Sequence, residues 1–264
     1  MKKQKIIVIL GPTATGKSNL AVKIAKKVDG EVISADSRQI YKGLNIGTGK
    51  ITRKEMKGIP HHLLDVADPK RLARRGGNFT VAEYQKKAIY AMAEIIKKGK
   101  VPIICGGTGF YIDAITKGTI FPQVPPNPKL RKALYSKSAV VLFEYLKKLD
   151  PERAKNIDSK NKVRLVRAIE IAKILGKVPE LQSDTNSAIA KNVSPYEFIK
   201  IGLYLPPDKL KKKIEKRVKK MFKDGLLNEI KKLKKPAHRG GAGISEKRLK
   251  ELGFEYDSPT YEKV

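Results

Sequence analysis

The sequence predicts an α/β fold in which a parallel sheet is flanked by helices and interrupted by an all-helical insertion domain. Three observations support this prediction. Short apolar runs alternate with helical patterns before Phe121, a glycine-bounded loop follows the first apolar run, and residues 129–176 show helical periodicity only. Strands that alternate with helices are joined by right-handed crossovers, so they form a parallel sheet that binds ligands at the carboxyl ends of its strands.

Each predicted element depends on its periodicity and on the residues that interrupt it. Continuous apolar runs predict strands, and apolar positions three or four residues apart predict helices. Strands are predicted at residues 6–10, 31–34, 101–105 and 197–205, and helices at 17–27, 81–98 and 210–234. The only cysteine, Cys105, falls in the third strand, so we expect it to be buried and without a disulfide partner.

A change in composition past Phe121 predicts the domain organisation. Several prolines within a short stretch indicate a stiff linker; they are Pro122, Pro125, Pro126 and Pro128. The strand pattern returns near residue 196. We therefore predict a P-loop α/β catalytic domain made of residues 1–122 and 196–264, with a helical insertion domain of residues 123–195.

The charge balance is strongly basic, with 57 lysines and arginines against 26 acidic residues, a net charge of +31 and a pI near 10.0. One interpretation is a lysine-rich surface that only promotes solubility. The other is a polyanionic partner such as a nucleic acid, because each cation near a phosphate adds affinity through counterion release. No apolar stretch approaches 18 residues, so we expect a cytoplasmic protein with no membrane partner.

The glycine-bounded loop, GPTATGKS, lies between a predicted strand and a predicted helix. This is the P-loop pattern, whose inward-facing backbone N–H groups form a phosphate cradle at the positive end of a helix dipole. Lys17 adds a charge on the phosphate oxygens, and Ser18 is the predicted protein ligand of a Mg²⁺ shared with them. The predicted phosphate-binding residues are Gly11, Pro12, Thr13, Ala14, Thr15, Gly16, Lys17 and Ser18.

Two further strand ends carry candidate functional groups. Asp36 follows the second predicted strand, and the run GGTG from Gly106 to Gly109 follows the third. A P-loop kinase usually ends a second strand in an acidic Mg²⁺ ligand, which GGTG lacks. From its position alone Asp36 suits a metal ligand, a general base or a helix cap. We expect the motifs at Gly11, Asp36 and Gly106 to converge, because parallel strands end at the same sheet edge.

Taken in order, the motifs resemble those of one family, the tRNA dimethylallyltransferases, also called tRNA isopentenyltransferases. The resemblance runs from about residue 6 to about residue 256. Its strings are GPTATGKS (11–18), DSRQIY (36–41), IGTGK (46–50), PHHLLD (60–65), FTVAEY (79–84), VPIICGGTGFY (101–111), RLVRAIE (164–170) and LKELGF (249–254), with Arg217, Met221, Gly225, Leu226 and Glu229 between the last two.

The resemblance implies a reaction and roles for matching residues. The family moves a dimethylallyl group from dimethylallyl diphosphate to N6 of adenosine 37 in tRNA, with Mg²⁺ as cofactor. Asp36 matches the general base, and Thr13 and Arg217 match contacts to the diphosphate. The residues implied on the tRNA side are Asp36, Ser37, Arg38, Gln39, Thr108, Arg164 and Arg167. The partners are then tRNA, through its anticodon stem-loop, and dimethylallyl diphosphate, and we expect a monomer.

Two alternatives stay open at this point: a small-molecule kinase of the nucleotide type, and a nucleic-acid-binding module with a vestigial P-loop. His61 and His62 receive no role, since adjacent strand residues point to opposite faces and make a poor metal pair. The basic segment 70–75 is not part of the family pattern. The chain also ends at Val264 without the further helix and basic tail usual in the family, which we expect to weaken tRNA binding without affecting the catalytic domain.

Overall fold

The computed structural model describes residues 3–69, 79–179 and 195–234. The chain divides into two compact units, one made of Met1–Gly118 with Thr185–Val264 and the other of Thr119–Asp184. Each unit is described by itself below. The basic segment 70–75 and the string at 249–254 lie outside the described residues.

The first unit is organised around one parallel sheet. Its strands are β1 (Gln4–Leu10), β2 (Gly30–Ser34), β3 (His61–His62), β4 (Val101–Gly106) and β5 (Tyr196–Gly202). Within the described residues their order is β3-β2-β4-β1-β5, and every neighbouring pair is parallel. All of β2 and nearly all of β4 are buried, which suits central strands of a sheet covered on both faces. The predicted parallel sheet is confirmed.

The helices of the described residues, in chain order, are α1 (Lys17–Val28), α2 (Arg53–Met56), α3 (Val81–Lys97), α4 (Gly109–Thr116), α5 (Pro128–Tyr135), α6 (Ala139–Leu149), α7 (Pro151–Lys155), α8 (Lys162–Leu175), α9 (Pro207–Lys223) and α10 (Leu226–Lys234). Sequence signals fix several of their starts. Thr80 and Glu83 form a reciprocal capping box at the first turn of α3, which satisfies backbone N–H groups that the helix leaves unpaired.

Residues 210–234 are helical as predicted, except that they form two helices, α9 and α10, rather than one continuous helix. Gly225 lies between them with a φ of +98°, a left-handed conformation that side chains with a Cβ rarely adopt. The N–H groups of Asp224 and Gly225 end α9 by donating to the carbonyls of Lys220 and Phe222. The break is not evident in the sequence, because the helical periodicity of this lysine-rich stretch continues on both sides of Gly225.

Apolar side chains cover the sheet on both faces. On one face Ala21 and Ala25 of α1 pack against β1, β2 and β4. On the other face Ala88, Met92 and Ile95 of α3 pack with α4 and α10 over the same strands. Each fully buried side chain of the size of isoleucine contributes about 1.5–3 kcal/mol. The core therefore holds the sheet rigid, and the loops at its carboxyl edge extend from a fixed frame.

The second unit contains α5 to α8, in the stretch where the sequence predicts helices only. Its core consists of apolar side chains from α5, α6 and α8. A fully buried carboxylate, Glu170, lies beside this core and accepts hydrogen bonds from the Arg131 guanidinium at 2.8 and 3.0 Å and from the Asn127 N–H at 2.6 Å. Arg167 pairs with the same carboxylate and donates to the Val124 carbonyl.

These partners control the protonation of Glu170. Burial acts to raise the pKa of Glu170, but hydrogen bonds from Arg131, Asn127 and Arg167 outweigh it and lower the pKa below its ordinary value. The ionised form therefore stabilises the fold fully above the pKa of an unfolded glutamate, 4.5, and this stabilisation is lost as the pH falls through the lower folded pKa.

We expect Glu170→Gln to lower the free energy of unfolding by about 3 kcal/mol at neutral pH, because it leaves two arginines beside an uncharged group. The gap between the variant and the unaltered protein should narrow as the pH falls below 4.5, where the native carboxyl also becomes neutral. Urea unfolding across a pH series measures this. The exposed Glu152→Gln is the control, with an expected effect under about 0.5 kcal/mol. A gap that does not change with pH would contradict the role of the charge.

Candidate active site

The loop that carries the P-loop sequence joins the end of β1 to the start of α1. The Thr15 hydroxyl donates to the Pro12 carbonyl at 2.9 Å, and the Leu20 N–H donates to the Gly16 carbonyl at 3.1 Å, so the loop continues directly into the first turn of the helix. The α1 helix has no acidic residue in its first turn. Its positive dipole end is therefore not neutralised locally, as an anion-binding site requires.

Lys17 is the cation of this loop, and its ammonium lies 2.5 Å from the Pro12 carbonyl oxygen. Burial of the ammonium lowers the pKa of Lys17, and the nearby Arg217 acts in the same direction, while the carboxylate of Asp36 opposes them. Burial raises the pKa of the Cys105 thiol to about 12, so this thiol stays neutral. Its burial in β4 agrees with the sequence prediction.

The ends of β2 and β4 adjoin this loop. A Cβ on Gly106 would lie only 2.1 Å from the Ala35 carbonyl oxygen, so the two backbones approach as closely as a glycine permits. This approach brings Asp36 and Thr108 together at the sheet edge. Thr108 begins α4 without capping it, and its hydroxyl instead accepts a hydrogen bond from the Ser37 N–H at 3.0 Å.

Asp36 is half-buried, and its carboxylate is held in one orientation. Oδ1 accepts hydrogen bonds from the N–H groups of Arg38 at 2.8 Å and Gln39 at 3.3 Å. The Gln39 side chain in turn donates to the Gly49 carbonyl at 3.4 Å. An oriented carboxylate at a cavity wall can accept a proton from a bound group, which is what a general base must do.

Arg217 reaches the loop from α9. Its guanidinium donates to the Thr13 hydroxyl at 2.9 Å and to the Thr48 carbonyl at 3.0 Å. Thr13 and Arg217, which are 204 positions apart in the sequence, therefore meet. Three apolar side chains follow the same face of α9, at Ile214, Val218 and Met221.

These elements enclose a cavity of about 440 Å³ at the carboxyl edge of the sheet. It is lined by Gly11, Pro12, Thr13, Lys17, Asp36, Ser37, Arg38, Gly47, Thr48, Gly107, Thr108, Ile214, Arg217, Val218 and Met221. The convergence predicted for the three motifs is therefore seen. A larger cavity of about 680 Å³ adjoins α10 and Lys42. Of these two cavities, the smaller one is lined by residues of the loop, Asp36 and Arg217.

Several predicted site residues do not line this cavity. Four of them belong to the loop and the first turn of α1: Ala14, Thr15, Gly16 and Ser18. Gln39 donates its backbone N–H to the Asp36 carboxylate. Arg164 and Arg167 lie on α8 of the second unit. Within the described residues no partner is found for the Arg164 guanidinium, whereas Arg167 is engaged with Glu170 and Val124.

Sequence reasoning missed five lining residues: Gly47, Thr48, Ile214, Val218 and Met221. Gly47 and Thr48 belong to the string IGTGK, and Met221 matches the family, but the sequence assigns none of them a role. The residues of α9 do carry a spacing signal, because positions 214, 217, 218 and 221 lie on one face of a helix. That signal indicates an apolar face, and only the structure shows that the face borders a cavity.

The two histidines of β3 have partners within the protein and do not belong to a metal cluster of the described residues. Among the described residues there is no cluster of three or more His, Cys, Asp or Glu side chains suited to a metal ion. His62 Nε2 lies 2.7 Å from a carboxylate oxygen of the buried Glu31, and His61 Nδ1 lies 2.8 Å from the Ile59 carbonyl oxygen. Both histidines are therefore bound within the edge of the sheet. In the parts described, no helix is long and apolar enough to cross a membrane.

The fold and the cavity define an α/β protein in which a loop with the P-loop sequence and the carboxylate of Asp36 line one cavity. The chain belongs to the IPP transferase family, whose model matches residues 39–256. The family resemblance found in the sequence is thereby confirmed.

The chain is similar to several named proteins. It is 39% identical over 255 residues to the tRNA dimethylallyltransferase of Anoxybacillus flavithermus, covering 96% of this chain and 78% of that one. It is 37% identical over 259 residues to the Bacillus subtilis enzyme of the same name, covering 97% and 79%.

Two solved structures are also similar. A tRNA isopentenylpyrophosphate transferase from Bacillus halodurans has a TM-score of 0.61 and 36% identity, covering 95% of this chain and 77% of that one. A eukaryotic dimethylallyltransferase acting on tRNA has a TM-score of 0.67 and 28% identity, covering 87% and 56%.

Proposed function

We propose that this protein transfers a dimethylallyl group from dimethylallyl diphosphate to N6 of adenosine 37 in tRNA. Family membership and the names of the relatives support this activity. The observation that carries it is the composition of one cavity, which is lined by the cations Lys17 and Arg217 and by the oriented carboxylate of Asp36. Such a cavity suits an electrophile with an anionic leaving group and a nucleophile that must lose a proton.

The donor side of the proposed site is the P-loop. Its N–H groups, with Lys17, Thr13 and Arg217, bind the diphosphate, and the two cations stabilise the charge that develops on it as it departs. The apolar face formed by Ile214, Val218 and Met221 borders the same cavity and suits the hydrocarbon part of the donor. The diphosphate leaves intact, so no phosphoryl group is transferred.

The acceptor side is the end of β2 with Thr108. The amine at N6 of adenine is a weak nucleophile, since its lone pair is delocalised into the ring. As nitrogen forms its bond to the allylic carbon, the carbon–oxygen bond to diphosphate breaks, and the Asp36 carboxylate accepts the proton from nitrogen. Ser37, Arg38, Gln39 and Thr108 contact the nucleotide, which must leave the anticodon-loop stack to reach them.

The described residues offer few protein ligands for a Mg²⁺ on the donor side. Ser18 offers one hydroxyl in the first turn of α1, and the described residues provide no carboxylate cluster there. This donor set suits a Mg²⁺ held mainly by diphosphate oxygens and water, with Ser18 as its protein ligand. When bound, the ion would neutralise charge on the leaving group.

The helical unit is proposed to be the tRNA-binding insertion domain, at 123–195. Arg164 has an exposed position on α8 and suits a phosphate contact. Arg167 keeps its proposed tRNA role, but its pairing with buried Glu170 also makes it part of the unit's own structure. A tRNA substrate also supports the proposal of a cytoplasmic enzyme, and the monomeric state stays a prediction.

The relatives favour prenyl transfer over the small-molecule kinase interpretation, since each carries the name of a tRNA-modifying transferase. The run after β4 supports the same choice. It provides Gly107 and Thr108 to the cavity rather than an acidic Mg²⁺ ligand.

The activity is tested by incubating the protein with tRNA and radiolabelled dimethylallyl diphosphate. We expect label in the RNA, located at adenosine 37 by mass spectrometry of digested tRNA. Asp36→Asn should lower the transfer rate by about 10²–10⁴-fold, because the amide keeps the shape but cannot take the proton. tRNA binding should stay close to normal. Phosphoryl transfer from ATP without label in RNA would instead support the kinase, and near-normal turnover of the variant would remove Asp36 from the base role.

We expect Lys17→Ala and Arg217→Ala each to weaken the use of dimethylallyl diphosphate by about 10²–10³-fold in kcat/KM, since each removes a charge from the leaving-group site. The affinity for tRNA should not change, which a filter-binding titration measures. Lys27→Ala, an exposed lysine in the last turn of α1, is the matched control for charge and helix. Reduced tRNA affinity with unaltered donor kinetics would show that the two cations serve the other substrate.

The affinity for tRNA should fall by about 10³-fold or more between about 50 and 200 mM salt, because several cations contact phosphates. Arg164→Ala should reduce the slope of log affinity against log salt by about 1. Arg167→Ala should reduce it similarly and also lower the melting temperature, because it removes a partner of Glu170. A flat salt profile would return the net charge of +31 to its interpretation as a solubilising surface.

A further inference from the structure

A carboxylate on α10 binds three successive backbone amides of a distant segment. Glu229 Oε2 accepts hydrogen bonds from the N–H groups of Asn45 and Ile46, both at 2.8 Å, and Oε1 accepts one from the Gly47 N–H at 3.0 Å. Three bonds from backbone N–H groups to one charged group are stronger than bonds between neutral groups. They fix the position of a segment that has no regular secondary structure.

The segment that Glu229 binds, residues 45–49, also contacts the guanidinium of Arg217. The Thr48 carbonyl accepts a hydrogen bond from Arg217 at 3.0 Å. Gly49 has a φ of +56°, and a Cβ built there would lie 1.8 Å from Arg217 Nη2. The guanidinium therefore occupies space that any side chain at position 49 would fill.

Helices α9 and α10 thus contact the same five residues, 45–49, at both ends. Glu229 binds the first three through their N–H groups, and Arg217 lies against the last two. In this position the guanidinium also donates a hydrogen bond to the Thr13 hydroxyl of the loop at 2.9 Å. The orientation of Arg217 consequently depends on a backbone segment whose own position depends on Glu229.

We propose that Glu229 is a positioning residue for the leaving-group site, acting through segment 45–49 on Arg217. The inference depends on the proposed function, in which Arg217 binds the diphosphate. Glu229 itself lies on the opposite side of the segment, where it lines the larger cavity rather than the one that holds the loop. It does not contact the reacting atoms.

A double-mutant cycle separates positioning from general stability. Binding of inorganic diphosphate with Mg²⁺ is measured by calorimetry for the unaltered chain, Glu229→Gln, Arg217→Ala and the double variant. We expect Glu229→Gln to weaken binding by about 10-fold, since an amide cannot accept all three N–H bonds. In the Arg217→Ala background the same change should have no further effect, because residues that act through one another are not additive.

The control for Glu229→Gln is Glu215→Gln, an exposed glutamate on α9, which should bind diphosphate normally. Three results overturn the proposal. In one, Glu229→Gln binds diphosphate as tightly as the unaltered chain while Arg217→Ala binds weakly. In another, the two effects multiply. If Arg217→Ala itself binds normally, both the assigned role of Arg217 and the inference about Glu229 fail, and the label-transfer assay still decides the activity independently.

A second variant tests the same step should Glu229→Gln not fold. Gly49→Ala leaves Glu229 in place but directs a methyl group into the guanidinium, so it should also weaken diphosphate binding about 10-fold and be silent in the Arg217→Ala background. Gly58→Ala is its matched control, because Gly58 has a φ of +82° and open space around the position of a Cβ. It carries the same backbone strain without touching Arg217. Equal losses in the two alanine variants would contradict the proposal.

Discussion

The site depends on the register of the central strand β1. Leu10, its last residue, pairs with Gly106 of β4 on one side and with Gly202 of β5 on the other, and Ser34 of β2 pairs with Cys105 of β4. Four parallel strands therefore end almost level. The P-loop, Asp36 and Thr108 follow directly from these ends, so a shift of one residue in any pairing would separate the carboxylate from the cations.

Local signals predicted the part of the site that follows the strands. Gly11, Asp36 and Gly106 each come directly after an apolar run, and an apolar run is readable without knowledge of the fold. Arg217 is identified in the sequence only through resemblance, because its contact with Thr13 joins residues that are 204 positions apart. Gly49 belongs to the matched string IGTGK, but no local pattern predicts a role for it. Its importance comes from the guanidinium of a residue far along the chain, and such contacts are set by tertiary packing.

Two acidic residues of this basic protein, Glu31 and Glu170, are buried beside cations. Glu170 takes donors from Arg131, Arg167 and a backbone N–H, and the buried Glu31 faces His62, Lys98 and Lys100. Hydrogen bonding of this kind lets a carboxylate stay charged in the interior. In both cases the surrounding groups supply that stabilisation, so neither negative charge is left unpaired in the interior.

The close fit between Gly49 and Arg217 has a consequence for how such a chain can change over time. A bulkier residue at position 49 is tolerated only if the cation opposite becomes shorter or moves, and a shorter cation loses its reach to Thr13. A substitution at either position alone would therefore give a protein in which the contact between the cation and Thr13 is lost or disturbed. We therefore expect positions 49 and 217 to vary together or not at all among functional descendants, although they belong to opposite ends of the chain.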